Sequence, residues 1–266
     1  MELAEFIALH GPALETNEAR HNLILGLLER VKDKPDHGYL LWSLGEPGAC
    51  AIKTPLPGRG IILGELTQAQ CAELGRITAG VDYPSVAGQD DMPRWFVAAA
   101  ETHGLSFRAE PLAQRIHALS RPPSRPAVPG GARLATMDDA DLVFAWVNGF
   151  RDEAAPEDPP PLREHTDDSI RQGRYWLWEV DGVPVSMAGL GRQIKTCASI
   201  APVYTPPEHR AHGFAGAVTA AVVDAIFAGG RTTACLYTDL SNPYSNRCYA
   251  KLGFAPVCDS WVYRRA

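Results

Sequence analysis

The sequence has no excess of positive charge, no long apolar run and no paired cysteines, and each absence excludes a class of protein. Lys and Arg number 25 against 31 Asp and Glu, for a formal net charge of -6 and a pI near 5.8. A broad basic face for nucleic acid is therefore not expected. No apolar stretch reaches the roughly 18 residues that a membrane span needs. Ala215–Ala228 is apolar, but Asp224 interrupts it. The first residues, Met1 to Leu9, carry Glu2 and Glu5. They lack the cationic start and apolar stretch of a signal peptide, so a cytoplasmic protein with no membrane partner is expected. The 6 cysteines (Cys50, Cys71, Cys197, Cys235, Cys248 and Cys258) form no Cys-x-x-Cys pair. Metal-ligand spacing is absent, and reduced thiols filling core positions are expected.

What is present suits a soluble globular chain of two domains: 266 residues, 45% hydrophobic and 21% charged. Ser120 to Gly131 reads SRPPSRPAVPGG. Repeated proline removes backbone donors and favours extended geometry, so this stretch reads as a linker. The expected division is a domain over residues 1–119, the linker over 120–131 and a second domain over 132–266.

The halves resemble one another. Tyr39, Leu41 and Trp42 are spaced like Tyr175, Leu177 and Trp178, and in each half turn residues and a second apolar run follow. Both are hairpin patterns. Helical patterns precede each, at Met1 to Leu9 and Asn17 to Val31, and at Asp138 to Arg151 and Arg163 to Gly173. This reads as an internal duplication, the alternative being two α+β domains that share one hairpin pattern. The second half continues with a strand over Ala198 to Thr205, ended by Pro206 and Pro207. A helix is expected from Gly213 to Phe227, on the helical recurrence of Val218, Val222, Ala225 and Ile226. A strand at Thr233 to Thr238 comes next. Asn242 then caps and Pro243 opens a helix to Leu252, with Gly253 at its end. A last strand covers Phe254 to Tyr263.

Chemistry concentrates between a strand end and a helix start, at Arg210, Ala211, His212, Gly213, Phe214 and Ala215. Backbone N–H groups there have no intrahelical partner. Gly213 and Ala215 let a ligand approach the backbone, and the helix dipole adds positive charge. Together these make a pyrophosphate cradle.

Val203 to Ala215 resembles the acyl-CoA-binding motif of the GCN5-related N-acetyltransferase (GNAT) family, with Arg210, Gly213 and Ala215 filling its Arg-x-x-Gly-x-Ala form. Asn242 to Phe254 resembles a second motif of that family, a helical Tyr followed by Gly-Phe. The resemblance covers about Arg133 to Arg264. It implies an α/β fold, an α+β mixed central sheet, in two GNAT-like acyl-CoA N-acyltransferase domains in tandem. It further implies acetyl-CoA as co-substrate, no metal, and a small-molecule or peptide amine as acceptor. Members of the family are often dimers, and a homodimer is an expectation of the same kind. By resemblance, the backbone of Val203 and Thr205 pairs with the pantetheine arm, amides from Arg210 to Ala215 hold the pyrophosphate, and Asn242 and Asn246 contact the cofactor by side chain. The resemblance also implies that Tyr249 points its hydroxyl at the thioester sulfur. A Tyr near pKa ~10 is protonated at neutral pH and can donate to a departing thiolate whose thiol pKa is about 8.5.

The sequence departs from the family at the general base. Ala198 to Thr205 carries no acid, which leaves Glu179, Asp239 and Glu153 as candidates. Glu153, Glu157 and Asp158 lie in or beside a Pro-rich loop that in the family often borders the acceptor pocket, where acids attract a cationic amine. The first half lacks the Arg-x-x-Gly-x-Ala pattern. Gly58-Arg59-Gly60 precedes a strand rather than a helix, and Asp90, Asp91 and Arg94 before Trp95 read as a helix start only. Its cofactor site is expected to have decayed. Two other readings stay open: a module that binds acyl-CoA without turnover, and a transferase of longer acyl groups.

Overall fold

The computed structural model describes every residue of the chain except 35 and 57. Helices α1 (Leu3–Glu15) and α2 (Asn22–Glu29) precede the hairpin β1 (Leu40–Ser43) and β2 (Cys50–Lys53). Then come β3 (Ile61–Leu63), α3 (Gln68–Ile77), β4 (Ser85–Gln89), α4 (Met92–Glu101) and β5 (Leu112–Leu119). The chain continues with β6 (Gly131–Leu134), α5 (Ala140–Ala154), α6 (Arg163–Arg171), β7 (Tyr175–Val180), β8 (Val183–Gln193) and β9 (Cys197–Tyr204). It closes with α7 (Phe214–Ala228), β10 (Thr233–Asp239), α8 (Pro243–Leu252) and β11 (Ala255–Arg264). No helix of the described residues is long and apolar enough to cross a membrane.

Two compact units result: Met1–Ile116 with Val257–Ala266, and His117–Pro256. This differs from the sequence-based division in two ways. The segment from Val257 onward, expected in the C-terminal domain, belongs to the first unit. There β11 pairs antiparallel with β4, Ser260 opposite Gln89 and Arg264 opposite Ser85. The proline-rich stretch, expected as a linker, belongs to the second unit. Ser124 N–H donates to the Leu252 carbonyl at 3.0 Å, Arg125 pairs with Asp224 at 2.6 Å, and Trp178 Nε1 donates to the Pro129 carbonyl at 2.8 Å. Proline removes donors, but its carbonyls still accept. The stretch is a strap across α7 and α8, and its last residue opens β6, a strand the turn-rich sequence conceals.

The first unit orders its strands β1-β2-β3-β4-β11-β5, with β3 and β4 parallel. Ile61, Leu63, Leu74, Tyr83 and Phe96 fill its core. In the second unit the end of β5 is followed by β10-β9-β8-β7-β6, with β9 and β10 parallel and the rest of the β9-to-β6 series antiparallel. Side chains alternate along a strand. On β7, Tyr175 and Leu177 join a cluster with Val143, Trp146 and Ile170 of α5 and α6. The intervening Trp176 and Trp178 pack on the other side, with Val218, Val222 and Leu252 of α7 and α8. Each face of this sheet thus carries one helix pair. Most of α7 is apolar or small, as a buried helix requires, and its residues Val218, Thr219, Val222 and Val223 are fully buried.

Candidate functional site

The parallel pairing of β9 and β10 is short. Cys197, Ala198 and Ser199 lie opposite Thr233, Ala234 and Cys235, and the ladder stops there. Both strands continue, β9 to Tyr204 and β10 to Asp239. On its other side β9 pairs with β8 through a bulge. Leu190 faces Ile200 and Ala188 faces Val203, so the single Gly189 opposes both Ala201 and Pro202. An extra residue bends a strand and ends regular pairing, and Pro202 has no N–H to give. The result is a fork: the ladder between β9 and β10 ends at Ser199 and Cys235 while both strands run on.

At the head of α7 the chain prepares a second set of unpaired groups. Gly213 is the cap, with φ 86°, and no side chain caps the helix. Ala211 is also left-handed, at φ 66°. Such a loop curls successive N–H groups towards a common point. The first intrahelical bond is Ala217 N–H to the Gly213 carbonyl at 3.1 Å. Among the described residues, the N–H groups of Ala211, His212, Gly213, Phe214, Ala215 and Gly216 meet no protein acceptor. The dipole of a helix running from Phe214 to Ala228 adds positive charge there. His212 stacks on Phe214 at 5.5 Å.

The first unit shows what a closed version looks like. Its helix α3 begins with a capping box: Thr67 Oγ1 accepts from Gln70 N–H, and Gln70 Oε1 accepts from Thr67 N–H at 2.9 Å. Just before it, Gly64 N–H donates to the Cys50 carbonyl, Glu65 N–H to the Gly48 carbonyl, and Leu66 N–H to Met92 Sδ. The N–H groups of Gly64 to Thr67 and of Gln70 are thus spent at α3, whereas the corresponding run at α7 is open.

The other residues singled out from sequence divide into two groups. Tyr249 is buried at 8% exposure in one cluster with Ile200 and Leu236, the first residues past the end of the ladder on each strand. Its ring meets Phe254 edge-on at 6.0 Å. Among the described residues its hydroxyl takes no hydrogen bond, and burial pushes its pKa well above the ordinary tyrosine value. Val203 stands on the outer arm of the fork. The first turn of α7 lies against α8 at Cys248 and Leu252.

The second group is engaged in holding the fold. Arg210 spends its N–H on the Pro207 carbonyl at 3.3 Å and its Nε on the Thr205 carbonyl at 2.9 Å. It closes the loop, and the open donors begin one residue later. Thr205 Oγ1 meets Ser186 Oγ at 2.8 Å. Asn242 Oδ1 caps α8, accepting from Tyr244 N–H at 3.1 Å and Ser245 N–H at 3.2 Å. Asn246 ties α8 to β10. It accepts from Thr238 Oγ1 at 2.6 Å, and its Nδ2 donates to the carbonyls of Asp239 and Asn242 at 3.0 and 2.8 Å. The cap occupies Asn242 Oδ1 alone, whereas both polar atoms of the Asn246 side chain are engaged. Replacing Asn246 with Ala is expected to cost about 1–3 kcal/mol, because partly buried polar partners are left unmatched. A lower denaturant midpoint with unchanged acyl-CoA affinity is the expected reading, and a large affinity loss at unchanged stability would make Asn246 a ligand instead.

The three acids considered as bases also have partners. Glu179 pairs with Arg133 at 2.8 Å. That same Arg133 holds the Asp139 carboxyl down at about 2. Asp239 Oδ1 accepts from Ser241 N–H and Oγ at 2.7 and 2.6 Å, a local turn bond. Glu153 pairs with Arg210.

Residues 141–254 match the model of the acetyltransferase (GNAT) family. No curated protein matches. Among solved structures, a GCN5-related N-acetyltransferase from Sphaerobacter thermophilus is 18% identical, with 92% of this chain and 91% of that one covered and a TM-score of 0.64. One from Kribbella flavida is also 18% identical, at 91% and 92% coverage and TM-score 0.60. A tandem GNAT protein from the clavulanic acid biosynthesis pathway is 17% identical, at 91% and 87% coverage and TM-score 0.55. At these identities the likeness is one of fold, and it extends over both units. The fork and the open donors at the head of α7 fall within residues 141–254, the part of the chain that matches the acetyltransferase (GNAT) family model.

Proposed function

We propose that the second unit transfers an acetyl group from acetyl-CoA to an amine acceptor by direct attack within a ternary complex. The observation that carries this reading is the run of unpaired backbone donors from Ala211 to Gly216, set at a helix head beside a forked sheet. Amides aimed at charged oxygens are worth about 1.5–3 kcal/mol each, so a few suffice to hold a pyrophosphate. The backbone of Val203, on the outer arm of the fork, offers pairing to an extended pantetheine arm. Tyr249 supplies the proton for the departing thiolate. Its raised pKa keeps it protonated throughout the working range.

An alkyl amine near pKa ~10.4 must lose a proton before it attacks. Glu153, Glu179 and Asp239 are each engaged elsewhere, so solvent water takes that proton. This engagement also favours a second reading, a module that holds acyl-CoA without turnover. One experiment separates them: calorimetric titration of acetyl-CoA into the protein, followed by a thiol-release assay over a panel of polyamines, amino acids and peptides. Micromolar binding with amine-dependent release supports transfer. Binding with no release across the panel supports the module, and absence of binding overturns both.

A further inference from the structure

We infer that Glu153, on the last turn of α5 and outside both motifs, is a positioning residue that holds the phosphate cradle in shape through Arg210 and Tyr204. The inference rests on the acyl-CoA reading of Ala211–Gly216.

Glu153 Oε1 and Oε2 accept from Arg210 Nη2 at 2.7 and 2.8 Å. Tyr204 Oη donates to Glu153 Oε1 at 3.3 Å. The Arg210 guanidinium also sits 5.8 Å from the Tyr204 ring centroid. Through its bond to the Thr205 carbonyl, Arg210 spans the turn at Pro207–His209. One carboxylate from α5 thereby fastens both ends of the loop, the end of β9 and the residue before Ala211.

That next residue explains why fastening matters. A non-glycine residue in left-handed backbone is strained and persists only when its surroundings hold it. Ala211, at φ 66°, has this conformation, and it is where the open donors begin. Tyr204 is seated in turn by Gly149 on α5. A Cβ there would lie 2.7 Å from Tyr204 Oη and 2.8 Å from its Cζ, so any larger residue forces the ring to shift from its place beside Glu153. Glu153 and Arg210 are 48% and 44% exposed, and such a pair adds little to global stability. Its effect belongs in the shape of the loop.

The test uses the full chain with Glu153→Gln and, independently, Gly149→Ala. If the competent loop falls to about a tenth of the population, the apparent Kd for acetyl-CoA rises about 10-fold. Amide exchange at Arg210 and Ala217, whose N–H groups donate to the Pro207 and Gly213 carbonyls at the two ends of the loop, is expected to quicken in both variants of the cofactor-free protein. Turnover at saturating acetyl-CoA is expected to stay within about 2-fold, because population shifts act on binding. In Gly149→Ala the better helix former offsets part of the cost of displacing the ring, and the Glu153–Arg210 pair keeps both its members, so weaker binding at near-wild-type Tm isolates the displaced ring. Wild-type exchange and Kd in Glu153→Gln would overturn the inference. So would a large loss of saturated turnover at unchanged Kd, which would make Glu153 the base. If the wild type binds no acyl-CoA, the functional reading fails, while exchange still reports whether Glu153 braces the loop.

Discussion

Replacing Tyr249 with Phe is expected to lower kcat by about 100-fold or more while acetyl-CoA binds as before. The substitution keeps the ring, its edge-on contact with Phe254 and its place in the cluster with Ile200 and Leu236. Only the hydroxyl goes, and it has no protein partner among the described residues. No buried group is orphaned, so stability should hold or rise slightly. The pH profile carries a second check. Burial raises the phenol pKa, and the proposed working form is the protonated acid, so Tyr249 is expected to impose no alkaline fall below pH ~10. The wild-type rate should climb with pH as the amine acceptor deprotonates. The variant should follow the same curve at reduced height. Equal turnover would remove Tyr249 from the chemistry, and an alkaline fall near pH 8 in the wild type alone would mean that its environment is not the buried one described.

Gly213→Glu is expected to weaken acetyl-CoA binding by about 100-fold or more, the loss of at least one or two charge-assisted amide contacts. Two effects add. Gly213 has φ 86°, where an L side chain costs roughly 1–2 kcal/mol. A Cβ there would also stand 3.1 Å from Val128 Cγ1 and 3.8 Å from Pro126 Cβ, against the strap. The carboxylate then competes for the donors proposed to hold phosphate and repels its charge. Gly213→Ala separates the two, because it carries the strain without the charge. It should lose about 1–2 kcal/mol of stability and only part of the affinity. Calorimetry on both variants decides. Wild-type affinity in Gly213→Glu would place the pyrophosphate elsewhere.

The sequence announced the parts of this molecule that follow local rules. The hairpins β1–β2 and β7–β8 stand where alternating apolar runs flank turns. Helix α8 begins at Pro243 behind its Asn242 cap, as those residues require. The loop at Ala211–Gly213 was legible because Arg210, Gly213 and Ala215 fill the Arg-x-x-Gly-x-Ala form between a strand and a helix. What depended on distant contacts was hidden. The short strands β4 and β6, SVAGQ and GARL, carry no marked alternation and exist through their neighbours. A cap and a ligand ask for the same asparagine, so the roles of Asn242 and Asn246 could not be told apart by residue type. Arg210 looks like a phosphate-binding cation in the motif and instead finds Glu153, 57 residues earlier. No local pattern marks that pair, and only the packing of α5 beside β9 brings it together.

Because β11 pairs with β4, the sheet of the first unit stays one strand short until Val257–Arg264 have left the ribosome. Domains commonly fold in the order of synthesis. Here residues 117–256 can complete their own unit first, while Ser85–Gln89 waits with an unpaired edge. Exposed strand edges invite pairing with other chains, so a nascent chain of this protein is most open to aggregation, and to chaperone capture, through the half that was made first.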